Sequence, residues 1–390
     1  MRFGPIATTA ALSTVVVSTA VIISGAAGAK EMMFSSYLPP KHLVNAYGIE
    51  PMFKEFGPEV PWKLVTGGQL FSAQNTLKGI GNRTADGGGP IVLTYTRAEL
   101  KHTNIMADLM MLGRDEFSMT GAVLEAILKD CAECKEDYAR NNVVLMSAYG
   151  VGGYALLCNK QVTNAAEAKG KKIRTTGPMG RWARALGGTP VNMTSGEMVE
   201  AVQRGQVDCI MGPVAWLKAY SMEDSIKYIW NYSLGSLSGV SLFTLNKAAW
   251  NEHSDAQKKK IFAAQAAGVA RTMVIGYAGD DERSRKIAKQ KNITISEGGD
   301  DVRKIWTEHK AKEVDVTIQN AEKLGIKNGR QLVENFQKSL AKWEGIIDQS
   351  GLRKAIAEAG DDEVKLTAAT KIYERLVTEH IYSKLDHTKF

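Results

Sequence analysis

Lys169-Gly-Lys-Lys-Ile-Arg174-Thr-Thr-Gly-Pro178, Leu186-Gly-Gly-Thr-Pro190-Val-Asn-Met193 and Glu197-Met-Val-Glu-Ala201-Val-Gln-Arg-Gly205-Gln-Val-Asp208-Cys-Ile-Met-Gly-Pro213 are three successive blocks in which strand and helix signals alternate. Lys172–Thr175 and Pro190–Asn192 read as strands, Gly180–Leu186 and Ser195–Arg204 as helices, and Val207–Met211 as a further strand. Strands separated by helices of this kind belong to a mostly parallel sheet covered by helices.

The same order appears on either side. Gly153–Asn159 is a strand upstream of the blocks. Nearer the start, Glu31–Tyr37 is a strand ended by Leu38-Pro39-Pro40, and Lys41–Phe56 carries apolar residues at helical spacing up to Gly57-Pro58. Pro61–Val65 is a second strand, Leu77–Gly81 a helix end, and Thr84–Val92 a short strand with a glycine-rich turn. Downstream, Asn251–Ala288 and Asp301–Asp348 are long and helical, the second interrupted near Gly325 and Gly329. The expectation is two α/β lobes with late helices packing across both. Beyond Gly351, apolar residues such as Leu366, Tyr373 and Leu376 predict a helix or two packed on a lobe.

The first 29 residues read as a cleavable secretory signal. Met1-Arg2 gives a positive start, Ile6–Ile23 carries no charge, and Ala27-Gly28-Ala29 before Lys30 has the small-x-small form of a cleavage site. The remainder is long enough for two ordinary domains. At 44% hydrophobic and 23% charged it has a soluble globular composition. The formal charge is +7, and Arg2 contributes one unit of it. The excess is dispersed, and runs such as Lys258-Lys259-Lys260 lack interleaved aromatics, so nucleic acid is not an expected partner.

Enzyme signatures are missing. The sequence has no G-x-S-x-G, H-E-x-x-H, P-loop or dinucleotide fingerprint, and its six histidines are scattered. Asp280-Asp281 and Asp300-Asp301 sit beside expected helix starts, where the dipole favours them. No catalytic residue, metal ligand or cofactor is expected. Cys131 and Cys134 form a C-x-x-C late in an expected helical run, 117–140, while Cys158 and Cys209 stand alone in apolar strands. A thioredoxin-type motif belongs at a helix start, so a structural disulfide or two plain thiols is favoured.

Taken in order and spacing, the three opening blocks resemble the solute-binding proteins of tripartite ATP-independent periplasmic (TRAP) transporters, the dicarboxylate-type DctP family. Similarity runs from Lys30 to about residue 345, and includes Tyr37-Leu-Pro-Pro40 and the Asp86-Gly-Gly to Tyr95 region. The resemblance implies a two-lobed periplasmic binding protein fold, with a mixed or parallel sheet in each lobe and long C-terminal helices crossing between them. It divides the chain into a signal peptide at 1–29, lobe I at 30–152 with about 238–280, lobe II at 153–237 with about 281–350, and a helical extension at 351–390. The implied function is capture of an organic acid in the periplasm and delivery to TRAP membrane subunits driven by an ion gradient. A ligand-sensing protein or an enzyme on the same fold is the alternative.

Residue by residue, Arg174 matches the family arginine that clamps a ligand carboxylate. Spacing alone would make it a surface charge among Lys169, Lys171 and Lys172. A planar guanidinium suits the clamp, because it offers two parallel charge-assisted hydrogen bonds and stays protonated. Glu197 and Asp208 match family positions read as scaffold. Tyr154 stands where many members carry a second arginine, and Asp208-Cys-Ile-Met-Gly-Pro213 replaces the common Asp-Gly-Gln-Glu-Asn-Pro. The implied pocket therefore has one arginine, with Tyr154, Met211, Trp216 and Tyr95 (and more weakly Trp182) around it. Such a pocket favours an apolar or aromatic monocarboxylate, or a small keto or hydroxy acid, over a heavily hydroxylated sugar acid, whose buried hydroxyls would go unpaired. A simple dicarboxylate stays open.

Overall fold

The computed structural model describes residues 30–390, together with Met1 and Gly4. The expected signal segment thus lies almost entirely outside the described residues.

The chain builds β1 (Met32–Ser35), β2 (Trp62–Val65), β3 (Gly87–Gly88) and β4 (Val143–Tyr149) in one sheet. It then crosses to a second sheet for β5 (Tyr154–Cys158), β6 (Lys172–Thr175), β7 (Thr189–Asn192), β8 (Cys209–Pro213) and β9 (Tyr228–Trp230). β10 (Val240–Asn246) returns to the first sheet and β11 (Thr294–Ser296) closes the second. The first sheet has the order β2-β1-β3-β10-β4, and the second β11-β9-β5-β8-β6-β7. Both are mixed: β10 runs antiparallel to β3 and β4, and β5 antiparallel to β8 and β9, while the remaining pairs are parallel.

Three connections join the lobes. Residues 150–153 and 231–239 cross side by side, and the ladder continues through them: Val151 N–H donates to Leu237 O (2.7 Å), Tyr154 N–H to Gly235 O (2.8 Å) and Leu234 N–H to Tyr154 O (2.8 Å). The third crossing is the helical run Asp255–Gln290, long and apolar enough to span a membrane but mostly buried within the protein. Its Gln265–Arg271 part packs on β4, and its Gly279–Gln290 part on the short helix Trp216–Ala219.

The acids Asp280-Asp281 lie inside this run, not at a free helix start as expected. Asp280 is buried and pairs with Lys218 (3.0 Å) and Arg283 (2.8 Å). Asp281 accepts the Ala215 N–H (2.8 Å).

The expected lobe division also needs one correction. It gives residues 281–350 to the second lobe, whereas the helix Gly329–Ser350 lies along Glu116–Glu125 of the first. Trp343 rests against Gly121, where an added Cβ would come within 2.2 Å of the indole. Its ring N–H and Lys342 Nζ both donate to the buried Glu125 carboxylate (2.8 and 2.6 Å). The extension then folds back on the first lobe. Its helix Glu363–His380 lies along Gln265–Arg271, Tyr373 Oη donates to Phe117 O (2.8 Å), and Tyr382 Oη to Met146 O (3.0 Å).

The expected helical run 117–140 breaks at Cys131. Its backbone is extended there, and its sulfur accepts the Cys134 N–H as the N-cap of the helix Ala132–Arg140. The C-x-x-C therefore does open a helix, but both cysteines are buried and joined to each other. A second disulfide, Cys158–Cys209, ties β5 to β8. It closes a loop with a sequence separation of 51 residues. Cross-linking a loop of that length restricts the unfolded chain by about 4 kcal/mol in the chain-entropy picture. The double variant Cys158→Ala/Cys209→Ala is expected to lose up to that amount in denaturant unfolding. A thiol titration of the denatured native protein that finds four free cysteines would contradict both bridges, and one that finds two would contradict one of them.

Candidate functional site

The crossings bring the carboxyl ends of strands from both sheets to one cleft, the usual ligand position in open α/β sheets. From the second lobe, β6 ends in Arg174, Thr175 and the nearby Thr176, β5 begins with Tyr154, and the segment after β8 carries Trp216. From the first come Tyr37 and His42 after β1, Tyr95, and Tyr149 at the end of β4. Tyr277 reaches in from the long crossing helix. These residues enclose a cavity of ≈ 30 Å³. That is room for about two waters, so a larger solute requires the lobes to part.

Arg174 is 2% exposed. Its Nε and Nη2 donate to the Met193 carbonyl (3.1 and 3.0 Å) and its Nη1 to the Met211 carbonyl (3.4 Å). Its guanidinium carbon lies 5.6 Å from the Trp216 ring centroid, a cation–π contact. No carboxylate among the described residues comes within ion-pair distance. A guanidinium has five N–H donors, so the two left over are available to the cavity, where Tyr95 is a polar neighbour. The Tyr95 hydroxyl also reaches the Met193 carbonyl (3.5 Å), so both lobes meet at that oxygen.

Local sequence explains the geometry. Gly212 allows Trp216 to lie against β8, since a Cβ there would come within 2.2 Å of the indole. Asp281 fixes the same segment through Ala215 N–H. Glu197 accepts from the Thr194 N–H and hydroxyl (2.7 and 2.6 Å), closing the start of the helix Ser195–Gln203. Those bonds hold its carboxyl below the usual range. Asp208 accepts the Lys172 N–H (2.9 Å), pinning the start of β6 beside β8.

Of the residues expected around the ligand, Arg174, Tyr154, Trp216 and Tyr95 line one cavity. Met211 does not: its side chain is buried in the core, and only its carbonyl reaches Arg174. Trp182 packs away from the cavity against Trp230 and Trp306 (ring centroids 5.7 and 5.8 Å). Tyr37, His42, Tyr149, Thr176, Ser195, Tyr220 and Tyr277 join the wall without having been expected, beside aliphatic residues such as Val92 and Leu237. They lie at strand ends, at helix boundaries and, for Tyr277, inside the crossing helix, a spread that a single motif does not reveal.

Burial keeps these groups neutral. It pushes the Tyr37, Tyr149 and Tyr277 phenols well above their ordinary value, and Tyr154 up to about 12 despite the nearby Arg174. Burial, with Lys218 adding to it, lowers His42 to about 3.

A second hollow of ≈ 560 Å³ opens to solvent and shares Thr176 with the cavity wall. Arg97, Arg181, Arg184 and Lys323 surround it. Arg97 is paired with Asp108 and Arg181 with Glu313, while Arg184 makes only a 3.4 Å contact to Gly180 O.

Residues 59–320 match the family described as bacterial extracellular solute-binding protein, family 7, DctP. The chain belongs to this family. Solved structures agree on the fold. A TRAP solute-binding protein from Rhodoferax ferrireducens, in complex with copurified benzoate, is 17% identical with a TM-score of 0.71, covering 82% of this chain and 99% of that one. One from Bordetella bronchiseptica with bound (R)- and (S)-mandelate is 19% identical at TM-score 0.67, covering 80% and 99%. A third, from Chromohalobacter salexigens with bound D-glucuronate, is 15% identical at TM-score 0.67, covering 79% and 99%. A comparison with curated protein sequences returned no match. This DctP-family chain is therefore of a solute-binding class, and the relatives found are binding proteins rather than enzymes.

The neutral His42 has a measurable consequence. Its folded pKa of about 3 lies below the ordinary 6.5. Below about pH 6.5 the unfolded chain takes up a proton that the native state refuses. Stability from this group is therefore present above that pH and lost as pH falls, at about 1.4 kcal/mol per unit. Between pH 6.5 and 4.5 the native protein should lose about 2 kcal/mol more than His42→Gln in denaturant unfolding. Equal losses would show that His42 is not held neutral by burial.

Proposed function

We propose that this chain is a periplasmic receptor that captures an organic acid anion between its lobes, holds the carboxylate on Arg174, and delivers the acid to TRAP-type membrane subunits. One observation carries the reading: a buried guanidinium at the cleft whose own partners are neutral carbonyls. Burying a charge without a countercharge is costly. A ligand carboxylate would offset that cost through two parallel charge-assisted bonds. Family membership supports it, as do the acids carried by the structurally similar proteins.

In this reading, lobe I comprises 30–152 and 238–280 with the helix 329–350 seated on it, and lobe II comprises 153–237 with about 281–328. Tyr154, Trp216 and Arg174 contact the acid from lobe II, and Tyr95 from lobe I, so a bound acid favours the closed form. Catalysis plays no part. Removal of a signal near Ala29 places the receptor in the periplasm, free to reach its permease.

Isothermal titration of the purified protein against benzoate, mandelate, D-glucuronate and a wider set of organic acids tests the clamp. Removing one side of a buried charge pair costs ~2–5 kcal/mol, so Arg174→Ala should weaken the best acid by roughly 30-fold or more. Unchanged binding by Arg174→Ala would refute the clamp. Binding of an uncharged sugar and of no acid would refute the receptor assignment as a whole.

A further inference from the structure

We propose that the ≈ 560 Å³ hollow is a second anion site, taking a small multivalent oxyanion such as inorganic phosphate, and that the anion bridges the two lobes. The site is separate from the proposed clamp, since Arg174 does not line the hollow.

The walls come from both lobes. Thr94 and Arg97 belong to the first, and the residues from Thr175 to Arg184 to the second. The lobes touch within this wall, where a Cβ added to Gly177 would come within 2.6 Å of Thr94 Cγ2. Lys323 is the last residue of the helix Glu313–Lys323, which is held by both sides. Glu313, at its start, pairs with Arg181 of the second lobe, and the helix also packs on Asn104–Asp108 and Gly329–Ser350 of the first.

The charge balance of the wall points to an anion. Two arginines beside Arg97 and one lysine line the hollow, and no Asp or Glu does. Arg97 and Arg181 are compensated by Asp108 and Glu313. Arg184 and Lys323 have no carboxylate within ion-pair distance among the described residues, and Arg184 reaches only the Gly180 carbonyl (3.4 Å). Like charges that share one hollow repel. A divalent oxyanion between them removes the repulsion and accepts hydrogen bonds from a guanidinium fork. Chloride matches one charge and lacks that geometry. Asn192 and Asn320 line the same wall, and each has an amide that can donate. The hollow is wide enough to take such an ion with part of its water, without any parting of the lobes. Because it opens to solvent, binding is expected to be weak and salt-dependent. A bound anion would join Arg184 of the second lobe to a helix seated on the first, and so favour the compact arrangement.

Thermal unfolding of the purified protein in phosphate, sulfate or chloride at equal ionic strength tests the site. Phosphate and sulfate should raise the midpoint saturably, and chloride should not. In Arg184→Gln/Lys323→Gln the phosphate concentration giving half the effect should rise about fivefold or more. Both side chains are exposed, and an unchanged midpoint in chloride checks that the variant folds. Arg174→Ala, which removes the proposed clamp, should keep the phosphate effect in full. Small-angle X-ray scattering should give the native protein a smaller radius of gyration in phosphate than in chloride.

Equal effects of phosphate and chloride would overturn the site. So would a phosphate effect that survives intact in the double variant, or one that is lost in Arg174→Ala and therefore arises in the cleft. An unchanged radius of gyration would overturn the bridging. None of these outcomes decides whether Arg174 holds an organic acid, which the acid titrations read separately.

Discussion

A positive charge buried without a negative one organises this structure. Arg174 reaches the cleft as the third residue of a four-residue strand, and its surroundings compensate for lost hydration with the carbonyls of Met193 and Met211 and the face of Trp216. Each of these comes from a different place. Met193 belongs to the turn before the helix that Thr194 and Glu197 start, Met211 to the neighbouring strand, and Trp216 to a segment held by Asp281 of the crossing helix. A dispersed set of ordinary capping and backbone bonds thereby converges on one guanidinium. Neutral carbonyls lessen the cost of burying it without cancelling its charge. In the proposed function, that remaining demand is what a ligand carboxylate would meet.

The same constraint couples the lobes. The Met193 carbonyl receives Arg174 from its own lobe and Tyr95 from the other, and Tyr277 enters from the helix that belongs to both. The C-terminal extension packs on the first-lobe part of that helix and on the strands beneath it. Motion between the lobes is therefore referred to a first lobe that is braced from behind.

Much of this was legible in the sequence where local chemistry and tertiary role coincide. The three blocks from Lys169 to Pro213 fold as the alternation of strand and helix requires, and they deliver Arg174, Glu197 and Asp208 to the places their chemistry suits. β4 and β10 escaped notice because every residue in both is buried, so neither shows the alternation that marks a half-exposed strand. Met211 was associated with the ligand because it lies in the motif, but the strand directs its carbonyl, not its side chain, toward Arg174. The tyrosine wall was illegible for another reason: residues 37, 149, 220 and 277 share no motif, and only the crossing of the chain between two sheets brings them together. Asp280-Asp281 resembled a helix start because paired acids favour one. The helix runs straight through them, and they serve as anchors between elements.

Trp216 has a further consequence. It is an indole in contact with the buried Arg174 cation, while Trp182, Trp230 and Trp306 form a separate cluster beyond the cavity wall. An anion arriving at Arg174 would change the electric field across that ring. The protein thus carries its own optical probe, and the colour of its intrinsic emission would register occupancy without any attached dye.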